Sequence, residues 1–249
     1  MRDDAASQSL PNLGSHAILP EGVRIYAVGD IHGRADLLEQ AFIRIEAHKR
    51  VRPIANSIEI YLGDYIDRGP HSRNVLDQMI ARATEPNVVA LIGNHEEFLL
   101  QSLQDGEAFP DWMRYGGRET LLSYGVPAPL EASSRRLEET RRLMKDALPK
   151  SHIHFLESRP LSYSYGGFFF VHAGVRPNVA LEAQRRSDLL WIRDEFIGWS
   201  GALPAIVVHG HTPVRTPRVE PYKINIDTGA YVTGRLTCLV LEGATRAFL

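Results

Sequence analysis

The chain has 249 residues, 44% hydrophobic and 23% charged, an ordinary globular composition with enough length to bury a core as one large or two small domains. Twenty-eight basic residues against 30 acidic ones give a net charge of −2, which argues against a broad nucleic-acid-binding face. Apolar runs such as residues 168–171 fall far short of the ~20 residues a membrane helix needs.

Residues 1–21 are polar, are broken by Pro11, Gly14 and Pro20, and lack the basic start and apolar middle of a secretion signal. They are expected to form a loose tail ahead of a single domain over residues 22–249. Residues 23–29 (VRIYAVG) read as a strand ending at glycine, and apolar Leu37, Leu38, Ala41, Phe42 and Ile45 then follow at helical spacing. The pattern repeats: strand 57–62 precedes helix 72–83, and strand 87–92 precedes helix 96–103. Three consecutive βα units predict a sheet with parallel strands, whose ligands gather at the strands' carboxyl ends. Residues 105–160 turn charged and helix-like, with a solvated helix face over 134–145, and are expected to form a helical insertion or lid that carries substrate choice. β signals return at 168–172, 205–209, 222–226 and 236–241. The single cysteine, Cys238, cannot close an internal disulfide and sits in an apolar run, so a reducing, cytoplasmic compartment is expected.

The polar residues worth attention stand where these strands end. Gly29-Asp30-Ile31-His32-Gly33 follows the first, Gly63-Asp64-Tyr65-Ile66-Asp67-Arg68-Gly69 the second, and Gly93-Asn94-His95-Glu96 the third. Val171-His172-Ala173-Gly174 and His209-Gly210-His211-Thr212-Pro213 follow later strands. Carboxylate, amide and imidazole groups beside glycines are the donor set of borderline or hard divalent ions. If two ions are to act on one phosphate, one carboxylate must bridge them, and the strand-end Asp64 is well placed to do so.

These segments, GDIHG, GDYIDRG, GNHE and HAG in that order, resemble the signatures of the phosphoprotein phosphatase (PPP) family of dinuclear metallophosphoesterases. WMRYGGRETLLSYG (112–125), DLLWIR (188–193), HGHTP and NIDTGA (225–230) resemble its small bacterial and phage-type Ser/Thr protein phosphatases, over about residues 22–243. The resemblance implies an α/β sandwich of two mixed sheets flanked by helices. It implies two divalent metals, Mn2+ first, with Fe and Zn fitting the ligand types nearly as well. Asp30 and His32 would hold the first, Asp64 would bridge, and Asn94, His172 and His211 would hold the second. A metal-bridging hydroxide would attack phosphorus in line. His95 would act as general acid with its ring held by Asp67, and Arg68 and Arg193 would grip the phosphate oxygens.

Within that class, Asp67 ahead of Arg68 and the glutamate of GNHE favour a Ser/Thr protein phosphatase acting on a phosphorylated protein. A diadenosine tetraphosphatase or broad nucleotide phosphohydrolase is the alternative. A nonenzymatic phosphate-binding protein is the alternative of another class, disfavoured because binding needs no proton donor. No nucleic-acid or membrane partner is expected. Tyr231, His152, His154 and His209 read as packing or solvated residues.

Overall fold

The run VRIYAV forms strand β1 (Val23–Val28), buried along its whole length as a strand covered on both faces must be. A computed structural model describes residues 17–249. β1 pairs in parallel with β2 (Asn56–Tyr61), and β2 with β3 (Val88–Ala90). On the other side β1 pairs antiparallel with β9 (Cys238–Glu242), which pairs with β10 (Thr245–Phe248), closing a five-stranded mixed sheet. The second sheet has the order β4 (Ser162–Tyr165), β5 (Phe168–Val171), β6 (Ile206–His209), β8 (Lys223–Asn225), β7 (Arg218–Val219). Its three central strands are parallel and its two outer ones antiparallel.

Side-chain alternation along each strand sorts the apolar residues into three layers. Ile25, Ala27, Ile58, Ile60, Phe168, Phe170, Val208 and Ile224 meet between the sheets. Tyr26 and Val28 face the other way, onto Leu38, Ala41, Ile45, Val75, Leu76, Met79 and Leu99 of the helices α1 (Ala35–Val51), α2 (Ser72–Arg82) and α3 (Asn94–Gln104). Phe169, Val171 and Val207 cover the outer face of the second sheet with Leu189 and Phe196 of α8 (Arg186–Trp191) and α9 (Asp194–Ile197). The result is two mixed sheets packed face to face and flanked by helices. Each large aliphatic or aromatic side chain so buried contributes about 1.5–3 kcal/mol.

The segment 105–160 is helical: α4 (Phe109–Trp112), a wide π turn at Met113–Gly117, α5 (Arg118–Ser123), α6 (Ser134–Ala147) and α7 (Lys150–Glu157). It packs onto the α1–α3 layer through Phe109, Trp112, Met144 and Phe155. Of the expected tail over 1–21, residues 1–16 lie outside the described residues. Ala17 and Leu19 are buried between the sheets, and the Leu19 amide donates to Gly243 O at 3.1 Å. Ordered packing therefore starts ahead of residue 22, because these two side chains cover the open end of the inter-sheet core. No described helix is long and apolar enough to cross a membrane.

Candidate active site

The carboxyl ends of β1, β2, β3, β5, β6 and β8 point to one rim, so residues distant in sequence arrive together. Each must leave its strand through a sharp turn. Among the described residues seven non-glycine positions have positive φ, and five of them are His32, Asp64, Asp67, Arg68 and His211. Non-glycine backbone in this region is strained and persists only where surrounding contacts hold it, as at functional sites. Gly210 serves a different need. A Cβ there would lie 1.9 Å from Asp30 Oδ1, so only glycine lets the β6 loop pass the Asp30 carboxylate.

Two donor clusters share Asp64. In one, His172 Nε2 lies 2.8 Å from Asn94 Oδ1 and 3.4 Å from Asp64 Oδ1, and His211 Nδ1 lies 2.8 Å from the same Asn94 oxygen. In the other, His32 Nε2 lies 3.4 Å from Asp64 Oδ2. The Nδ1–H groups of His32 and His172 donate to the carbonyls of Ile66 (2.9 Å) and Leu62 (3.0 Å), which leaves each Nε2 with its lone pair toward the cluster. Burial keeps these rings neutral: it drives His32 down to about 3 and His211 down to about 2, and it lowers His172.

The acids of the site are as crowded as the rings. Asp30, Asp64 and Asp227 are all buried, and Asp30 and Asp227 feel each other's charge. Burial, then the charges of Asp227 and Asp64, raise Asp30 well above the ordinary range, while burial pushes Asp227 up to about 6. The Asp64 pKa is lowered below the ordinary carboxylate range: burial raises it, but its coupling to the imidazole cluster of His172, His95, His32 and His211, of which His95 is the ring that stays protonated, outweighs burial.

These observations test whether divalent ions fit. Asp30 Oδ1 is a buried polar atom without a hydrogen-bond partner, and such an atom calls for an explanation. Ligand atoms ~2.0–2.2 Å from one ion lie about 2.9–3.5 Å from each other, close to the 2.8–3.4 Å separations seen here. Neutral imidazole lone pairs facing carboxylate and amide oxygens repel unless a cation lies between them. Asp64 with His172 and His211, and Asp64 with His32 and His95, form compact groups able to hold an ion.

His95 differs from the other rings. Its Nδ1 lies 2.7 Å from Asp67 Oδ2, a carboxylate rather than a carbonyl, and its Nε2 stands 3.9 Å from Asp64 Oδ2. Burial lowers its pKa, but the Asp64 charge and the Asp67 hydrogen bond outweigh burial and raise it. A ring held protonated offers an N–H, so proton donation suits His95 better than ligation.

Arg68 is partly buried. Its charge reaches Asp30, His32, His95 and Asp227, and its guanidinium lies 5.1 Å over the Tyr231 ring. Arg193 is exposed and its charge reaches His172 and His211. It occupies a non-helical residue between α8 and α9.

Three contributors have other places than the sequence reading gave them. Asp227 falls in NIDTGA, a noted segment with no role attached. Tyr231 packs edge-on to His32 at 5.3 Å and beneath Arg68, so it belongs to the site's wall. Glu96 accepts four backbone N–H groups, from Gly93, Asp64, Tyr65 and Ile66 at 2.8–3.2 Å, and clamps the Asp64 loop onto α3. His209 packs on Phe196, and His152 sits between Tyr124 and Asp77, away from the site.

A sandwich with paired carboxylate–imidazole clusters on its rim defines a metal-dependent phosphoesterase architecture. The chain belongs to the calcineurin-like phosphoesterase family, whose model matches residues 23–238. It is 27% identical over 230 residues to the bis(5′-nucleosyl)-tetraphosphatase PrpE (asymmetrical) of Bacillus subtilis strain 168, covering 84% of this chain and 87% of that one. The protein of the same name from Bacillus velezensis is 26% identical over 231 residues, covering 84% and 86%. A solved structure provisionally described as a diadenosine tetraphosphatase superposes with a TM-score of 0.64 at 19% identity, over 94% of this chain and 97% of that one, and shares the fold.

Proposed function

We propose that this phosphoesterase hydrolyses dinucleoside polyphosphates, with bis(5′-nucleosyl) tetraphosphates as the substrate class, by general-acid catalysis at a site for two divalent ions. The Asp67–His95 pair beside the two donor clusters carries the mechanism, and the tetraphosphatase relatives carry the substrate. Asp30, His32 and Asp64 would hold one ion, and Asp64, Asn94, His172 and His211 the other. When bound, such ions polarise a phosphoryl oxygen and lower the pKa of water. Arg68 and Arg193 bind the nonbridging oxygens and stabilise charge spreading in the transition state. His95 donates its Nε2 proton to the departing oxygen, while Asp67 keeps the ring charged and oriented.

A phosphoserine or phosphothreonine protein is the second reading, favoured by Asp67 ahead of Arg68. The glutamate of GNHE adds little to it, because fully buried Glu96 spends both oxygens on backbone amides and has no surface toward a substrate. Turnover of diadenosine tetraphosphate and of a phosphoserine peptide, measured side by side with manganese, separates the two. Chelator-sensitive release of unequal nucleotide products, faster than peptide dephosphorylation, is expected. Peptide-only cleavage would establish the second reading.

A further inference from the structure

Three aromatic side chains from three elements form an open wall running away from the metal-ligand candidates. The Trp191 ring lies 6.2 Å from His211 at 82°, Phe98 lies 6.2 Å from Trp191, and Tyr115 lies 5.9 Å from Phe98. Trp191 is 41% exposed and Tyr115 60% exposed. Contiguous large aromatic rings open to solvent are a feature of ligand and interaction surfaces. The wall is also built to hold its shape. Glu97 accepts the Trp191 indole N–H at 3.0 Å and the Arg186 guanidinium at 2.5 Å, which fixes the plane of the indole. Tyr115 is presented by the turn at Gly116 (φ +117°), whose carbonyl accepts the Arg68 amide at 3.0 Å, so the wall is tied to the phosphate-binding loop.

We infer that Trp191, with Phe98 and Tyr115, is a stacking platform for the nucleobase of a nucleotide whose phosphate sits against Arg68 and the metal-ligand candidates. This rests on the nucleotide reading above and adds to it the residues that recognise the base. A phenyl group bonded directly to a phosphate would reach only the first ring, whereas a nucleoside interposes a sugar and carries its base outward along the wall. Flat, sequence-tolerant stacking also suits a substrate that ends in two nucleosides.

The test is calorimetric binding of AMP, ribose 5-phosphate and phenyl phosphate to the manganese-loaded full chain. Wild type, W191A, W191F and Y115A are compared. AMP should bind wild type about 5- to 150-fold tighter than ribose 5-phosphate, the range that one stacked base supplies. That ratio should fall toward unity in W191A, shrink in Y115A and largely return in W191F. Equal affinities in wild type, a ratio unmoved by W191A, or phenyl phosphate binding tighter than AMP would overturn the platform. Diadenosine tetraphosphate cleavage is scored separately on the same samples. A base-dependent ratio lost in W191A without tetraphosphate cleavage would keep the platform and remove the proposed substrate. Cleavage with equal affinities would do the reverse.

Discussion

Asp67 Oδ2 and His95 Nδ1 stand 2.7 Å apart, and the helical insertion controls that distance. The same oxygen accepts the Trp112 indole N–H at 3.0 Å, the other oxygen accepts the Thr120 hydroxyl at 2.6 Å, and the Asp67 amide donates to Thr120 Oγ1 and Ser72 Oγ. A carboxylate with both oxygens engaged cannot rotate away from the ring it orients. The helical insertion thus buttresses the carboxylate that orients the His95 ring.

Replacing His95 by Asn should lower kcat about 10²- to 10⁴-fold, the usual worth of a positioned general acid. Bound metal should stay close to wild type, because in the proposed mechanism His95 donates a proton and holds no ion. A variant that keeps full turnover, or that loses its metal, would remove the acid assignment.

Thr120→Val keeps shape and deletes one donor to Asp67. Loss of such supporting contacts commonly costs about 10- to 100-fold in activity, and here the loss should fall on kcat with KM little changed. Circular dichroism and thermal melting should stay near wild type. A KM effect alone would place Thr120 in substrate binding instead.

Asp64→Asn removes the carboxylate common to both donor clusters. Metal content, counted by mass spectrometry after dialysis, should fall for both ions together with turnover. Retention of one full equivalent and of activity would contradict the bridging assignment.

Stability should depend on pH through Glu59, a buried carboxylate far from the rim. It accepts from Lys49 (2.5 Å), Arg82 (2.9 Å) and Tyr61 (2.6 Å). Burial raises its pKa, but the bonds to Arg82, Lys49 and Tyr61 prevail and lower it below the ordinary 4.5. A depressed folded pKa stabilises above the unfolded pKa, and that stabilisation is lost as pH falls through the folded value. Glu59→Gln should therefore cost about 3–5 kcal/mol near neutrality, as breaking a buried ion pair does. The gap in Tm from wild type should close as pH drops below about 4.

Much of this was legible in the sequence because its signals are local. Helix α1 shows in the spacing of Leu37, Leu38, Ala41 and Ile45, and the motif loops show as glycines beside ligand-type residues at strand ends. Helix α3 begins two residues earlier than its apolar spacing suggests, since Asn94 and His95 are polar residues buried at the rim rather than apolar ones packed in the core. Strands β4 and β10 carry little apolar alternation, because each is a sheet edge paired on one side only. The Trp112 and Thr120 contacts to Asp67 span 45 and 53 residues, and the stacking of Arg68 on Tyr231 depends on how two distant loops meet. No local pattern encodes such distances.

Dependence of turnover on a pair of divalent ions is measured by stripping the protein of metal and adding manganese back while following p-nitrophenyl phosphate turnover and bound metal together. Turnover should vanish on stripping, return with occupancy and level off near about two ions per chain. Full turnover by the stripped protein, or full occupancy without turnover, would contradict it.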